Sequence, residues 1–343
     1  MARKNWIRLA VIFLLTAVFL FFFFRKTDWN EVFFYLGKVN LVFFIITIIL
    51  VPLHFFTRAF RWKYLLIHEK KELRFYNLVA GNAVGFTVTF IFPGRLGEVV
   101  KPLYLARKEN IRTGFALGTV VVERIFDMFT MCFLLGVFLL ARPLYESSFK
   151  FGTESFKHLY LWGIVGLGFA TALLAFSLFF YFFREKALRV AGFFLKPLPL
   201  RWREKIIKLL HEFIDGLKFF HSLGNLLIYV VLSIVVWLGI IFLYWVSFFA
   251  FNIRIPFYAM LPYVFLTGVG ASFPTPGMAG GYHYFSKLGL TSLYGIDPNL
   301  AVGMTTVVHA VQLVTTCLIG YTILWKEGLT VFQLKKLGEK VES

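Results

Sequence analysis

Phe92-Pro93-Gly94-Arg95-Leu96-Gly97-Glu98 ends the apolar run that opens at Tyr76. The run is short for a membrane crossing, which takes about 20 apolar residues. Proline and glycine stop a helix there, and an arginine and a glutamate follow at once. A second break with the same Pro-Gly-x-x-Gly grammar stands at Phe273-Pro274-Thr275-Pro276-Gly277-Met278-Ala279-Gly280-Gly281, after a short apolar segment opened by Tyr258. Paired interruptions of hydrophobic segments in corresponding halves point to a transporter's binding site, and the two breaks are expected to meet near the membrane midplane.

Composition says what surrounds them. The chain is 59% hydrophobic and 16% charged, far from the roughly half and quarter of soluble domains, so an all-α polytopic membrane protein is expected. The net charge of +18 does not imply nucleic acid, because the lysines and arginines flank apolar spans and face anionic lipid. Cys132 and Cys317 lie inside apolar segments, which argues against a disulfide framework or a metal cluster. His68-Glu69 and His211-Glu212 read as interfacial polar residues, and no metal or cofactor is expected.

Hydropathy predicts about six crossings plus two re-entrant broken-helix hairpins. The crossings are Leu9 to Phe24, Leu41 to Phe60, Gly118 to Leu140, Leu159 to Phe183, Leu226 to Phe251 and Leu300 to Trp325. The hairpins are 76–106 and 257–290. His54 and Arg58 share a face of the second crossing, Arg58 being read as snorkelling from its end. Arg61 to Arg74 reads as a basic loop. The stretch 184–221 is basic and amphipathic, with apolar positions such as Ile206, Leu210 and Ile214, suited to the membrane surface.

With cytoplasmic termini and hairpins that return to the side they came from, most of the 36 lysines and arginines fall inside, and only Arg25, Lys26, Lys38, Arg142, Lys150, Lys157 and Arg254 fall outside. That bias favours the assignment. The single membrane domain, 1–343, then divides into repeats 1–141 and 158–325 of opposite orientation, an inverted repeat.

Charge concentrates beside the breaks. Gly94, Arg95, Gly97, Glu98 and Lys101 cluster at the first, and the third crossing carries Glu123, Arg124 and Asp127. An ionisable group inside a membrane costs about 3 kcal/mol, so such groups pair and face a cavity. A half-helix beginning after Gly94 would aim free N–H groups at the break, and with Arg95 and Lys101 that suits a phosphate-bearing head group. A buried salt-bridge network that locks the helices is a compatible reading. The second break adds Pro276, Gly277, Gly280 and His283, and the sixth crossing adds His309.

These motifs, Pro93-Gly94-Arg95-Leu96-Gly97-Glu98, Lys101-Pro102, Glu123-Arg124-x-x-Asp127 and Pro274-Thr275-Pro276-Gly277, resemble the flippase-like membrane domain family, also known as the lysylphosphatidylglycerol synthase transmembrane region. The resemblance covers roughly residues 10 to 325. It implies lipid translocation between leaflets of a cell (inner) membrane, with aminoacylated phosphatidylglycerol as the cargo of members fused to an aminoacyltransferase. Only a short tail follows Trp325, so no enzymatic activity is expected. The chain departs from the family pattern at His283 and His309, where a glutamate and an arginine are usual, so the cargo does not follow from the resemblance. The expected partner is therefore a phospholipid or lipid-linked substrate, with homo-oligomerisation open. A scaffold for a separate lipid-modifying enzyme, docking through 184–221, is the alternative. An intramembrane enzyme using Glu123 and Asp127 is a third reading.

Overall fold

The computed structural model describes residues 2–67, 69–145, 199–216 and 223–330, together with parts of 160–195 and Gln333. The described residues are helical wherever they are regular. The chain opens with α1 (Ala2–Phe24), which bends by 80° into the short α2 (Trp29–Leu36). It continues through α3 (Leu41–Leu66), α4 (Phe75–Ile91), α5 (Gly97–Glu109) and α6 (Thr113–Leu140). Two helices, α7 (Arg184–Phe194) and α8 (Leu200–Gly216), lead into α9 (Leu223–Ala250). Then come α10 (Met260–Ser272), α11 (Gly281–Tyr294) and α12 (Pro298–Lys326).

Local chemistry sets many of these boundaries. Asp28, Asn40 and Asp297 each accept backbone N–H groups at a helix start, satisfying donors that the first turn leaves unpaired. Pro298 sits where a missing N–H costs nothing. Asn110 and Gly295 close α5 and α11 in the left-handed conformation.

Among the described residues, α3, α9 and α12 are long and apolar enough to cross a membrane, and the bent α1–α2 pair makes a fourth if it is one span. α6 has 28 residues but carries Glu123, Arg124 and Asp127. Of the crossing read at 159–183, the described residues are helical up to Phe182, and the others lie outside the described residues.

Each break is the tip of an antiparallel hairpin. α4 and α5 fold back on each other so closely that a Cβ at Gly97 would overlap the Gly85 carbonyl and the Thr89 hydroxyl. At the open end, the Asn77 amide donates to Glu109 Oε1 at 2.6 Å, and Lys70 Nζ reaches Glu109 Oε2 at 2.9 Å. α10 and α11 repeat the arrangement, with Gly270 against Gly281 and the Tyr294 hydroxyl on the Ala259 carbonyl at 2.6 Å. Glycine lets backbones approach where any side chain would hold them apart. Both tips contain a left-handed pair, Gly94–Arg95 (φ 81° and 57°) and Gly277–Met278 (φ 60° and 57°). The hairpins therefore run 75–109 and 257–294, several residues longer than hydropathy alone suggests.

Two other expectations change. α3 does not end at Phe60 but runs to Leu66, which carries Arg61 out of the supposed loop and into the helix interior. The apolar face of α8 packs against α6, with Ile214 buried, instead of lying on lipid alone. Arg112 clamps this junction, donating to Glu69 at 2.6 Å and to Asp215 at 2.7 Å, while Glu212 accepts from the Gly114 N–H. The hydrogen bonds from Arg112 hold the Glu69 carboxyl below its ordinary value, and the same contacts raise Arg112.

Candidate functional site

The two tips meet. The Gly94 N–H donates to the Pro274 carbonyl at 3.2 Å, and Arg95 Nη1 donates to the Ala271 carbonyl at 3.2 Å. A Cβ at Gly277 would stand 3.0 Å from the Phe90 carbonyl. His309 Nε2 donates to the Gly277 carbonyl at 2.9 Å, which ties the second tip to α12.

Beside the first hairpin lies a buried ionic cluster built on α3, α5 and α6. Glu123 has no exposed surface and pairs with Lys101 Nζ at 2.5 Å. Arg61, also fully buried, donates to Asp127 Oδ1 at 2.6 Å and approaches Glu123 Oε1 at 3.5 Å. Asp127 further accepts from Trp237 Nε1 and pairs with Arg124 at 3.1 Å. Arg124 approaches Glu98 at 3.9 Å, and Glu98 holds Arg95 at 2.6 Å. The helical spacing explains the partition: Glu123 and Asp127 lie one turn apart on α6 and face Arg61 together.

Arg58 completes the cluster differently. It is 7% exposed, and its nearest carboxylate oxygen, Asp127 Oδ2, is 3.9 Å away. Its Nε is buried without a hydrogen-bond partner, and its guanidinium stands over the Phe86 ring at 5.2 Å. Snorkelling is thus the wrong description of Arg58: α3 continues past it, so it cannot reach the helix end. Five cations (Arg58, Arg61, Arg95, Lys101, Arg124) face three carboxylates (Glu98, Glu123, Asp127), which leaves two positive charges uncompensated among the described residues.

Arg58 lines a cavity of about 160 Å³ enclosed by α3, α4, α9, α10 and α12. Its walls are mostly apolar (Phe86, Phe90, Ile240, Val264), with His54, Arg58 and His309 among the polar groups.

The expected site residues therefore divide. Arg95, Glu98, Lys101, Glu123, Arg124 and Asp127 form one connected network, with Gly94 and Gly97 shaping its hairpin. Lys101 is buried against Glu123 and over the Trp62 ring at 4.2 Å, so it is spoken for and is not a free head-group ligand. Gly277 and His309 join the tips at the cavity, and Pro276 opens the turn that carries Gly277. Gly280 does not face the site: with φ 85° it packs on α1 beside Thr16 and Phe19. His283 lies behind His309, edge-on to it at 4.6 Å and to Phe23 at 5.0 Å. Sequence reasoning missed Arg61 and Trp237 as members of the cluster, together with Ser233, whose hydroxyl accepts from Arg61 at 3.3 Å, and Tyr229, whose ring lies 5.6 Å from the Arg61 guanidinium. Arg58 and Arg61, three apart on one face of α3, and Glu123 and Asp127, four apart on one face of α6, were the available signal.

The chain matches the family described as lysylphosphatidylglycerol synthase TM region over residues 5–320. It is 24% identical over 278 residues to the UPF0104 membrane protein MJ1595 of Methanocaldococcus jannaschii, spanning 76% of this chain and 77% of that protein. No solved structure is similar enough to count as a match.

Proposed function

The chain belongs to the lysylphosphatidylglycerol synthase TM region family, and from that premise we propose that it moves an anionic or phosphate-bearing lipid between the leaflets of a membrane. The observation that carries this reading is Arg58: a buried guanidinium whose Nε has no hydrogen-bond partner among the described residues, on the wall of a cavity, within a cluster that holds two more positive than negative charges. An unneutralised buried charge is costly, and an anionic head group entering the cavity would offset it. The apolar walls suit the upper part of a lipid, and the paired hairpins supply the site between repeats that transporters use.

In this reading Arg58 receives the phosphate. Arg61, Lys101, Glu123 and Asp127 hold its surroundings in place. The contacts of Gly94 and Arg95 with the opposite tip, and that of His309 with Gly277, keep the cavity closed and would part as the lipid passes. The role is transport and not catalysis, exerted from a membrane-embedded chain with cytoplasmic termini.

Reconstitution into vesicles with a head-group-accessible fluorescent anionic lipid, quenched from outside, tests the proposal. Wild-type protein is expected to exchange the probe between leaflets, and Arg58→Gln to slow exchange at least about tenfold while unfolding at a similar temperature. Exchange by Arg58→Gln at the wild-type rate would overturn the assignment.

A further inference from the structure

Two imidazoles line the cavity together with the guanidinium. His54 stands one turn before Arg58 on α3, so both lie on the same face. Its Nδ1 bonds the Val51 carbonyl at 2.9 Å. His309 reaches in from α12, with Nε2 on the Gly277 carbonyl at 2.9 Å. A carbonyl oxygen only accepts, so each bond consumes the ring N–H. The remaining nitrogens, Nε2 of His54 and Nδ1 of His309, are then acceptors in the neutral rings, and neither meets a donor from the described residues. Phe86 touches both His54 and Arg58, at 5.5 Å and 5.2 Å, and Phe90 touches His309 at 5.9 Å. The two acceptors thus border the same apolar ridge of α4 as the cation.

Just as telling is the acidic side of the lining: among the described residues, no aspartate or glutamate lines the cavity. The nearest carboxylate to Arg58, Asp127, is committed to Arg61, Arg124 and Trp237. An ammonium entering the cavity would stand near Arg58 with the lipid's own phosphate but no carboxylate of the described lining to meet it, and desolvation would add to the repulsion. A hydroxyl would instead find imidazole acceptors in the same cavity lining as Arg58. The volume of about 160 Å³, roughly five waters' worth, suits a small head group with its acyl chains left outside.

Resting on the transport reading above, we infer that this cavity selects anionic lipids whose head group bears hydroxyls beside the phosphate and no amine. His54 and His309 are the specificity-determining residues for the hydroxyls, and the lack of a carboxylate excludes the amine. An aminoacylated lipid is accordingly a poor ligand for this chain.

The full-length protein in detergent is titrated with four short-chain lipids, and binding is read by native mass spectrometry. Phosphatidylglycerol carries the charge and hydroxyls, phosphatidylethanol the charge alone, phosphatidylethanolamine and lysylphosphatidylglycerol an amine. Phosphatidylglycerol is expected to bind best, roughly three- to tenfold over phosphatidylethanol for each acceptor engaged. Both amine-bearing lipids are expected to trail further. His54→Phe should shrink the margin of phosphatidylglycerol over phosphatidylethanol while the discrimination against amines persists, and His54→Gln, which restores an acceptor, should recover it. If wild-type protein binds phosphatidylglycerol and phosphatidylethanol equally, or binds lysylphosphatidylglycerol as well as phosphatidylglycerol, the inference fails while lipid binding stands. An unchanged margin in His54→Phe overturns the role of His54. If no anionic lipid is preferred and Arg58→Gln changes nothing, the transport reading itself falls.

Discussion

Replacing Lys101 with methionine keeps the length of the side chain and removes its charge. Lys101 Nζ and Glu123 Oε2 are 2.5 Å apart, and neither residue is more than 6% exposed. At that distance, with an effective dielectric near 20, their attraction is about 6–7 kcal/mol. Most of it offsets the desolvation of two ions, so the pair as a whole contributes little. Deleting one member alone is different, because it leaves the other buried and uncompensated, at about 3–5 kcal/mol. Arg61 softens this for Glu123 only in part, standing 3.5 Å away and serving Asp127 more closely. Lys101→Met is therefore expected to lower stability by about 3 kcal/mol, and Glu123→Gln by a similar amount. The double variant should cost at least about 2 kcal/mol less than the sum of the two. Unfolding in a series of sodium dodecyl sulfate mixtures measures this, with tryptophan fluorescence as the probe, since Trp62 lies 4.2 Å beneath the Lys101 ammonium. A loss under about 1 kcal/mol for Lys101→Met, or strictly additive effects, would show that the pair does not hold α5 to α6.

Gly97→Ala is expected to prevent closure of the first hairpin, since its Cβ would collide with the Gly85 backbone, whereas Gly239→Ala, whose Cβ meets nothing within 4 Å, should be neutral or stabilising by about 0.5–1 kcal/mol; folded yield on size exclusion separates them. The Arg112–Glu69 clamp is pH-dependent with a definite sign. Glu69 is depressed in the folded state, so its contribution is present above the ordinary carboxylate value of about 4.3 and fades as pH falls below it. Because Arg112 is 44% exposed, that loss is expected to stay under about 1 kcal/mol and to shrink in high salt, which thermal unfolding of Glu69→Gln against wild type at pH 7 and pH 4 checks. Lys287 Nζ donates to the Phe23 carbonyl at 2.6 Å, at the C-terminal end of α1. Lys287→Met should loosen α1 from α11 by about 1–2 kcal/mol, seen as faster amide exchange over residues 20–24.

How much of this was legible beforehand follows from the range of each interaction. Hydropathy and Pro-Gly chemistry act within a few residues. The amino-acid sequence by itself therefore located the apolar helices α1, α3, α6, α9 and α12, the two breaks, and the tips at Gly94 and Gly277 whose φ only glycine adopts freely. It also named every carboxylate of the ionic cluster, because an acid inside an apolar run stands out. Arg58 and Arg61 did not stand out: a cation near the end of a span reads equally as snorkelling or as loop. Only Asp127 and Glu123, more than 60 residues away, decide that both are buried. The same holds for Lys101, taken by Glu123, for Gly280, turned to α1, and for His54, which α3 brings into the same cavity as His309 of α12. Which charges cancel, and which one is left facing empty space, depends on distances between helices that only packing establishes, since electrostatic partners are chosen by proximity in space and not along the chain.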